Sequence, residues 1–354
     1  MINYKNEIEE LISLVIKEEA SDLHISAFRH PTIRINGELK YLTDRPIFSP
    51  EDSLNILFEL IEGKLEREFL EKRDLDFSYT SKSGARFRGN AYFQKGFVSM
   101  ALRHIPRKIR TLEELNLPKV LEHFANQKQG FFLVVGPVGQ GKSTTLASLI
   151  DLINHQRAEH ILTIEDPMEY VYKEDKSMID QREIRFDTQN FRTGLRAMFR
   201  EDINVAMIGE MRDTETIGTA VTAAETGHLI FSTLHTNNAS QTIDRIIDSF
   251  PANQQGQIKL QLASSLLGIF SQRLLRRIEG GLVPAYELLI NNNAVSNLIR
   301  EGRTNEINIV IETGSEEGMI NMNRTLATLV ANGEIDRDEA IRHSLNPKEL
   351  ARII

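Results

Sequence analysis

Gly136-Pro137-Val138-Gly139-Gln140-Gly141-Lys142-Ser143 is the segment on which the architecture of this chain turns. It fits G-x-x-x-x-G-K-[ST], the pattern of a loop that wraps phosphate. Just before it, Phe131-Phe132-Leu133-Val134-Val135 is a short apolar run that reads as a buried strand. Just after it, Thr144-Thr145-Leu146-Ala147-Ser148-Leu149-Ile150 has helical composition. The bare pattern arises by chance in roughly one chain in a hundred of this length, and the strand and helix around it narrow the odds further. The glycines let backbone N–H groups close around phosphate oxygens, and a helix N-terminus adds partial positive charge. The same pattern predicts that Lys142 reaches the β and γ phosphates of a nucleotide and that the Ser143 hydroxyl holds Mg²⁺.

Outward from this loop, apolar runs at 131–135, 161–164, 205–208 and 229–233 alternate with helical stretches, which predicts a largely parallel sheet. From about residue 253 the chain reads as helices, at 253–277, 293–301, 321–332 and 336–343. Upstream the pattern differs. Ile8, Leu11, Ile12, Val15 and Ile16 recur at helical spacing, residues 50–72 read as a helix opened by Ser49-Pro50-Glu51, and 21–25, 32–35, 76–79, 86–93 and 97–103 read as strands. Asn36-Gly37, Ser83-Gly84 and Lys95-Gly96 mark turns between them. Residues 1–103 are therefore expected to form an α+β domain. Ile105-Pro106-Arg107-Lys108-Ile109-Arg110 is basic, contains proline and lacks periodicity, so 104–117 is expected to be a hinge before a second domain, 118–354.

The chain has 354 residues, no cysteine and a formal net charge of −8. The length favours two domains. The missing cysteine excludes disulfides, thiolate zinc sites and cysteine catalysis. The acidic balance argues against a general nucleic-acid coat. Glu7, Glu9, Glu10 and Lys17 break up the first residues, which do not read as a signal peptide, and no long apolar run reads as a membrane span.

Three further stretches carry chemistry. Ile161-Leu162-Thr163-Ile164 runs into Glu165-Asp166-Pro167-Met168-Glu169, which places carboxylates at the end of a buried strand, where they position water or metal. Val205-Ala206-Met207-Ile208-Gly209-Glu210 has the form of a Walker B strand, and Glu210 is the acid that serves Mg²⁺ or polarises the attacking water. Met211-Arg212-Asp213 follow and offer salt bridges. Gly227 to Thr236 is a third strand with His228 and His235 at its two ends, where Thr233 and His235 are placed to sense a γ-phosphate. Phosphoryl transfer also needs positive charge from outside the loop. Arg86, Arg88 and Arg103 on the N-terminal strands, with Arg107 and Arg110 in the hinge, are the candidates.

In this order the phosphate loop, the acidic box 163–170, the Walker B segment 205–213 and the histidine box 223–237 resemble the secretion ATPases. Within them the chain is most similar to the type IV pilus retraction ATPases, the PilT type, through Ala20-Ser21-Asp22-Leu23-His24, Ala85-Arg86-Phe87-Arg88 with Asn90, and Asn297-Leu298-Ile299-Arg300-Glu301-Gly302. The resemblance implies an α/β chain with an N-terminal PAS-like domain and a C-terminal RecA-like P-loop NTPase domain that ends in a helical part. It implies a cytoplasmic homohexamer, peripheral to the inner membrane at the pilus base, that hydrolyses ATP with Mg²⁺ and acts on the pilus platform protein. Gly136 to Thr144, His228, Arg86, Arg88 and Arg103 would hold the nucleotide. Glu210, Glu165, Lys142 and His235 would act in catalysis, and Ser143 and Glu210 would hold the metal. Nucleic acid is not an expected partner. Assembly ATPases of the family usually carry an extra N-terminal region and a paired-CxxC zinc insertion; this chain is short and has no cysteine, which favours retraction. Two positions depart from the retraction pattern. Asp202-Ile203-Asn204 stands where it has Asp-Pro-Asp, and Ala294-Val295-Ser296-Asn297-Leu298 stands where it has Ala-Ile-Arg-Asn-Leu. An accessory paralogue of the retraction motor, a nucleotide-gated ring component with weak turnover, and an assembly or secretion ATPase are the alternatives.

Overall fold

A computed structural model describes residues 3–354 apart from 36, 62 and 107, so Asn36 of the first hairpin and Arg107 of the hinge lie outside the described residues. The chain divides into two compact units. One runs to Lys108 and takes in Glu169–Val171; the other holds Ile109–Met168 and Tyr172–Ile354.

The first unit opens with α1 (Tyr4–Lys17), whose apolar stripe Ile8, Leu11, Ile12 and Val15 is buried. β1 (Asp22–Ser26), β2 (Thr32–Ile35) and β3 (Glu38–Tyr41) follow. Then come α2 (Pro50–Leu60) and α3 (Lys64–Lys72), before β4 (Asp74–Thr80), β5 (Arg86–Gln94) and β6 (Phe97–Ile105). The helix expected over 50–72 is thus two helices. Gly63 at φ +49° supplies a backbone turn that a continuous helix cannot contain. The start of α2 is as expected: Ser49 and Asp52 cap one another reciprocally. The strands form an antiparallel sheet in the order β3-β2-β1-β6-β5-β4. Leu23, Ile33, Phe77, Phe87, Met100 and Leu102 project from it into the core with the helices. Phe77 lies opposite Gly89, and a Cβ on that glycine would meet the phenyl ring at 2.2 Å. The glycine is therefore required by packing.

In the second unit α4 (Leu121–Ala125) precedes β7 (Gly130–Val135), α5 (Lys142–Gln156), β8 (His160–Glu165), β9 (Met178–Glu183), α6 (Phe191–Met198), β10 (Val205–Ile208), α7 (Thr214–Glu225), β11 (Leu229–Leu234), α8 (Ala239–Asp248) and α9 (Ala252–Ser265). A hairpin, β12 (Leu266–Arg276) and β13 (Leu282–Ile290), leads to α10 (Asn293–Glu301), α11 (Ile307–Thr313), α12 (Met322–Ala331), α13 (Arg337–His343) and α14 (Pro347–Leu350). The sheet order is β13-β12-β7-β11-β10-β8-β9, parallel except for β13. The four expected strands are present and adjacent, with β7, β11, β10 and β8 buried along almost their whole length.

The expectation of one helix over 253–277 is corrected. The helix stops at Ser265 and the chain continues as β12 beside β7. Leu266 to Leu275 is largely buried on both faces. A strand covered on both sides shows no alternation, so periodicity cannot separate it from a buried helix. β13 was not expected either. It lies at the sheet edge, where Pro284 costs no ladder hydrogen bond. Gly280-Gly281 between two apolar runs is the hairpin signal that would have found both strands. Among the described residues no helix is long and apolar enough to cross a membrane.

Candidate active site at the carboxyl edge of the parallel sheet

β7 runs straight into the glycine-rich loop, and α5 begins at Lys142 with Gly141 as its N-cap. Gly136 has φ +149°, and a Cβ there would lie 2.4 Å from the Gln272 carbonyl oxygen. Glycine alone allows that approach. Gly141 has no side chain to lay over the first turn, so the N-terminal end of α5 faces the loop with its partial positive charge. The backbone therefore has the form of a phosphate cradle, and it fits a nucleotide.

The cradle is held from behind by β12. Gln272 Nε2 donates to the Gln140 carbonyl at 2.9 Å, and Gln272 Oε1 accepts from Thr145 Oγ at 2.7 Å. The Leu274 N–H donates to Gln140 Oε1 at 2.7 Å. Gln272 is 3% exposed. Sequence reading missed it because it lies in the segment mistaken for helix. Gln272→Ala should remove two hydrogen bonds and raise KM for ATP by up to about thirtyfold, at roughly 1 kcal/mol each, with a smaller change in kcat. Steady-state ATPase titrations would show it.

Lys142, 7% exposed, turns its ammonium back toward the loop and donates to the carbonyls of Gly136 at 2.9 Å and Pro137 at 2.8 Å. It also lies 3.2 Å from His235 Nδ1. An ammonium can only donate, so Nδ1 is the acceptor and the imidazole proton resides on Nε2. Nε2 is 3.8 Å from Glu210 Oε2. Burial, helped by the Lys142 charge, holds the His235 pKa below its ordinary value, so the ring is neutral at pH 7. The other oxygen of Glu210 is paired with Arg212 at 2.5 Å, and this contact holds the guanidinium firmly protonated. Three segments far apart in sequence thus meet in one row: Lys142, His235, Glu210 and Arg212.

The sheet register explains the meeting. β7, β11, β10 and β8 are parallel neighbours, so their carboxyl ends share one edge. Thr233 Oγ donates to the Gly209 carbonyl at 2.6 Å and fixes the start of the Walker B turn. Glu165, 6% exposed at the end of β8, accepts from Thr163 Oγ at 2.8 Å. Gly209 N–H donates to the Ile164 carbonyl at 2.8 Å, which brings Glu165 beside the residue before Glu210. Ser143 and Thr144 occupy the first turn of α5. Val138 stands 81% exposed at the loop tip. Asp213 caps α7 by accepting from Thr216 N–H.

His228 is not part of this row. It precedes β11, and its carbonyl accepts from Gly130 N–H at the start of β7, the amino edge of the sheet. The length of β11, about 20 Å at 3.3 Å per residue, separates it from the phosphate loop. Its Nδ1 lies 3.0 Å from the Ala223 carbonyl and its ring meets Phe199 edge-on. His228 therefore lies at the opposite sheet edge from this chain's phosphate loop, because an extended strand sends its two flanking residues to opposite edges. Within the first unit, Arg88 and Arg103 are directly opposite across β5 and β6, and Asp22 is opposite Arg103 across β1. Asp22 accepts from Arg103 Nε at 2.9 Å, and Arg86 lies two residues along the same face as Arg88.

A glycine-rich loop, a buried lysine, an acid at the end of the next-but-one strand and a histidine between them define a P-loop ATPase on a RecA-like sheet. Known proteins bear this out. The model of the type II/IV secretion system protein family matches residues 99–344. The type IV pilus retraction ATPase PilT of Pseudomonas aeruginosa is 41% identical over 94% of this chain and 97% of its own length. The type IV pilus ATPase PilU of the same organism is 37% identical over 98% of this chain and 91% of its own. A crystal structure of the pilus retraction motor PilT with bound ADP superposes with a TM-score of 0.92 at 46% identity, covering 98% of this chain and 99% of that one. The chain belongs to the type II/IV secretion system protein family and is an ATPase with an N-terminal domain and a C-terminal RecA-like ATPase domain.

Proposed function

We propose that the chain is the motor of type IV pilus retraction, the movement behind twitching motility. It works as a cytoplasmic homohexamer at the pilus base and turns the platform protein of the inner membrane. The row from Lys142 through His235 to Glu210 carries the enzymatic part of this reading. Likeness to a retraction ATPase across 94% of the chain supports the cellular part.

In this reading Lys142 exchanges the loop carbonyls for the β and γ phosphates of ATP. The loop amides and the α5 N-terminus orient those phosphates. Glu210 polarises the attacking water once Arg212 yields its oxygen, and Glu165 helps to place that water. Neutral His235, with its proton on Nε2, links the phosphate side to Glu210. The Ser143 hydroxyl and Glu210 are the oxygen donors that would hold Mg²⁺, a hard cation that prefers oxygen. Bound there, Mg²⁺ would offset the charge building on the phosphates. Arg86, Arg88 and Arg103 are the proposed sources of further positive charge in the assembled ring.

A second reading, an accessory retraction ATPase working beside a paralogue, rests on α10. Ser296 stands where the retraction motif has arginine, and its Oγ lies 2.9 Å from the Ala263 carbonyl and 3.1 Å from Asn291 Oδ1, inward rather than outward. Deleting the gene separates these possibilities. Abundant surface pili with no twitching is the expected result. Bald cells would overturn retraction in favour of assembly, and piliated cells that still twitch would assign the accessory role.

A further inference from the structure

The segment after His235 is tied to the β12–β13 hairpin at several points. Ser271 Oγ donates to the Asn237 carbonyl at 2.9 Å, and an Arg273 terminal nitrogen lies 3.3 Å from Asn237 Oδ1. Glu287 Oε1 accepts from the Ala239 N–H at 2.9 Å, at the first residue of α8. Ser271 and Glu287 are directly opposite across the hairpin, and Arg273 is two residues along on the same face. Gln272 points to the other face, where it holds the phosphate loop. One hairpin therefore grips the nucleotide cradle with one side and the tail of the histidine box with the other.

Glu287 stands out among these contacts. It is 6% exposed. Among the described residues its side chain takes its hydrogen bond from Ala239, and its carboxyl lines a cleft of about 260 Å³. Such a carboxylate is retained at a cost unless its charge is used. Here it faces the positive end of α8. We infer that Glu287 is a positioning residue for ATP hydrolysis: it anchors α8 and the segment 236–239, and so holds His235 between Lys142 and Glu210. This rests on the reading of His235 as part of the catalytic row.

The geometry carries a pH signature. Burial pushes the Glu287 carboxyl up to about 7, against the opposing effects of the Ala239 N–H and Arg273. The other groups facing it act as follows. Arg273 comes from β12, while α11 and α14 contribute Glu312 and Glu349 to the same cleft; the lining from the start of α8 and from α12 is the neutral Asn238, Asn321 and Asn323 with Met322. As pH falls through about 7, Glu287 takes up a proton and loses the charge that holds α8 and attracts Arg273. The grip loosens and kcat falls. His235 protonates at lower pH, because burial and Lys142 hold its pKa below the ordinary value.

The test is the pH profile of kcat for the full-length ATPase, with three variants. Glu287→Gln keeps an oxygen for the Ala239 N–H and cannot ionise. Its profile is expected to lose the acid limb near pH 7 and to run flat at the lowered kcat that the wild type reaches once Glu287 is protonated. A profile that superimposes on the wild type would overturn the proposal. Glu287→Ala is expected to lower kcat by between about tenfold and a hundredfold, as misplaced catalytic groups do, with little change in KM for ATP. His235→Ala tests the underlying reading alone: if it hydrolyses ATP at the normal rate, that reading fails whatever Glu287 does. If His235→Ala is impaired, adding Glu287→Ala should cost little more, since the two act in one unit. Full additivity would assign Glu287 a purely structural role and reject positioning. Should Glu287→Ala fail to fold, the Glu287→Gln profile decides.

Discussion

Lys142→Ala is expected to abolish ATP turnover while leaving the fold intact. The ammonium is buried at the mouth of the loop and already satisfies two loop carbonyls and His235 Nδ1. When nucleotide arrives, those neutral acceptors compete with anionic phosphate oxygens, which add full Coulomb attraction to the ammonium. The lysine is therefore expected to transfer to the phosphates, where it would oppose the charge that grows in the transition state. Removing one such donor costs about a hundred- to a thousandfold in rate, before any loss of affinity is counted. Of the carbonyls it leaves behind, that of Pro137 is partly exposed and can bond to water while that of Gly136 is buried, so the melting temperature should fall modestly. Phosphate release under saturating ATP measures the loss. A variant that still turns over at a tenth of the normal rate or better, on the scale of that expectation, would remove Lys142 from the mechanism.

Glu210→Gln should produce the opposite pattern: ATP bound, but hardly hydrolysed. The carboxylate lies between His235 Nε2 and Arg212, with its side chain 15% exposed, so it has access to water without being surrounded by it. Glutamine preserves the shape and can still accept from Arg212, but it cannot take a proton. Loss of a general base costs about a hundred- to ten-thousandfold. Equilibrium binding of a fluorescent ATP analogue should be retained, and single-turnover hydrolysis should slow by that factor. Normal single-turnover rates would mean that Glu165 is the base instead, since it ends the neighbouring strand and is also buried.

Lys142 and Glu210 are both legible in the amino-acid sequence, and for the same reason. Each sits in a short window where the chemistry requires particular residue types at fixed spacing. The parallel strands are equally legible, because 131–135, 161–164, 205–208 and 229–233 are too apolar to lie anywhere but in a covered sheet. Gln272, Arg273 and Glu287 are not. Their roles depend on β12, which local periodicity could not distinguish from helix, on β13, which was not expected, and on partners such as Gln140 and Ala239 that are distant in sequence. His228 shows the converse: it adjoins the histidine-box strand in sequence, yet the strand's own length carries it to the far edge from His235.

Local patterns in the chain suffice to establish that a phosphate loop begins a helix, that an acid ends a buried strand, and that an antiparallel part precedes a parallel one. Those conclusions follow from short-range rules: glycine's backbone freedom, the burial of apolar runs, and the alternation of strands with helices. Which groups meet is a property of the folded molecule. Strand order and register put β11 between β7 and β10, so His235 lies between the lysine of one neighbour and the acid of the other. The hairpin that closes the sheet grips both the loop and the histidine segment. No short-range rule contains those facts, because hydrogen bonds between strands are chosen by the packing of the whole core.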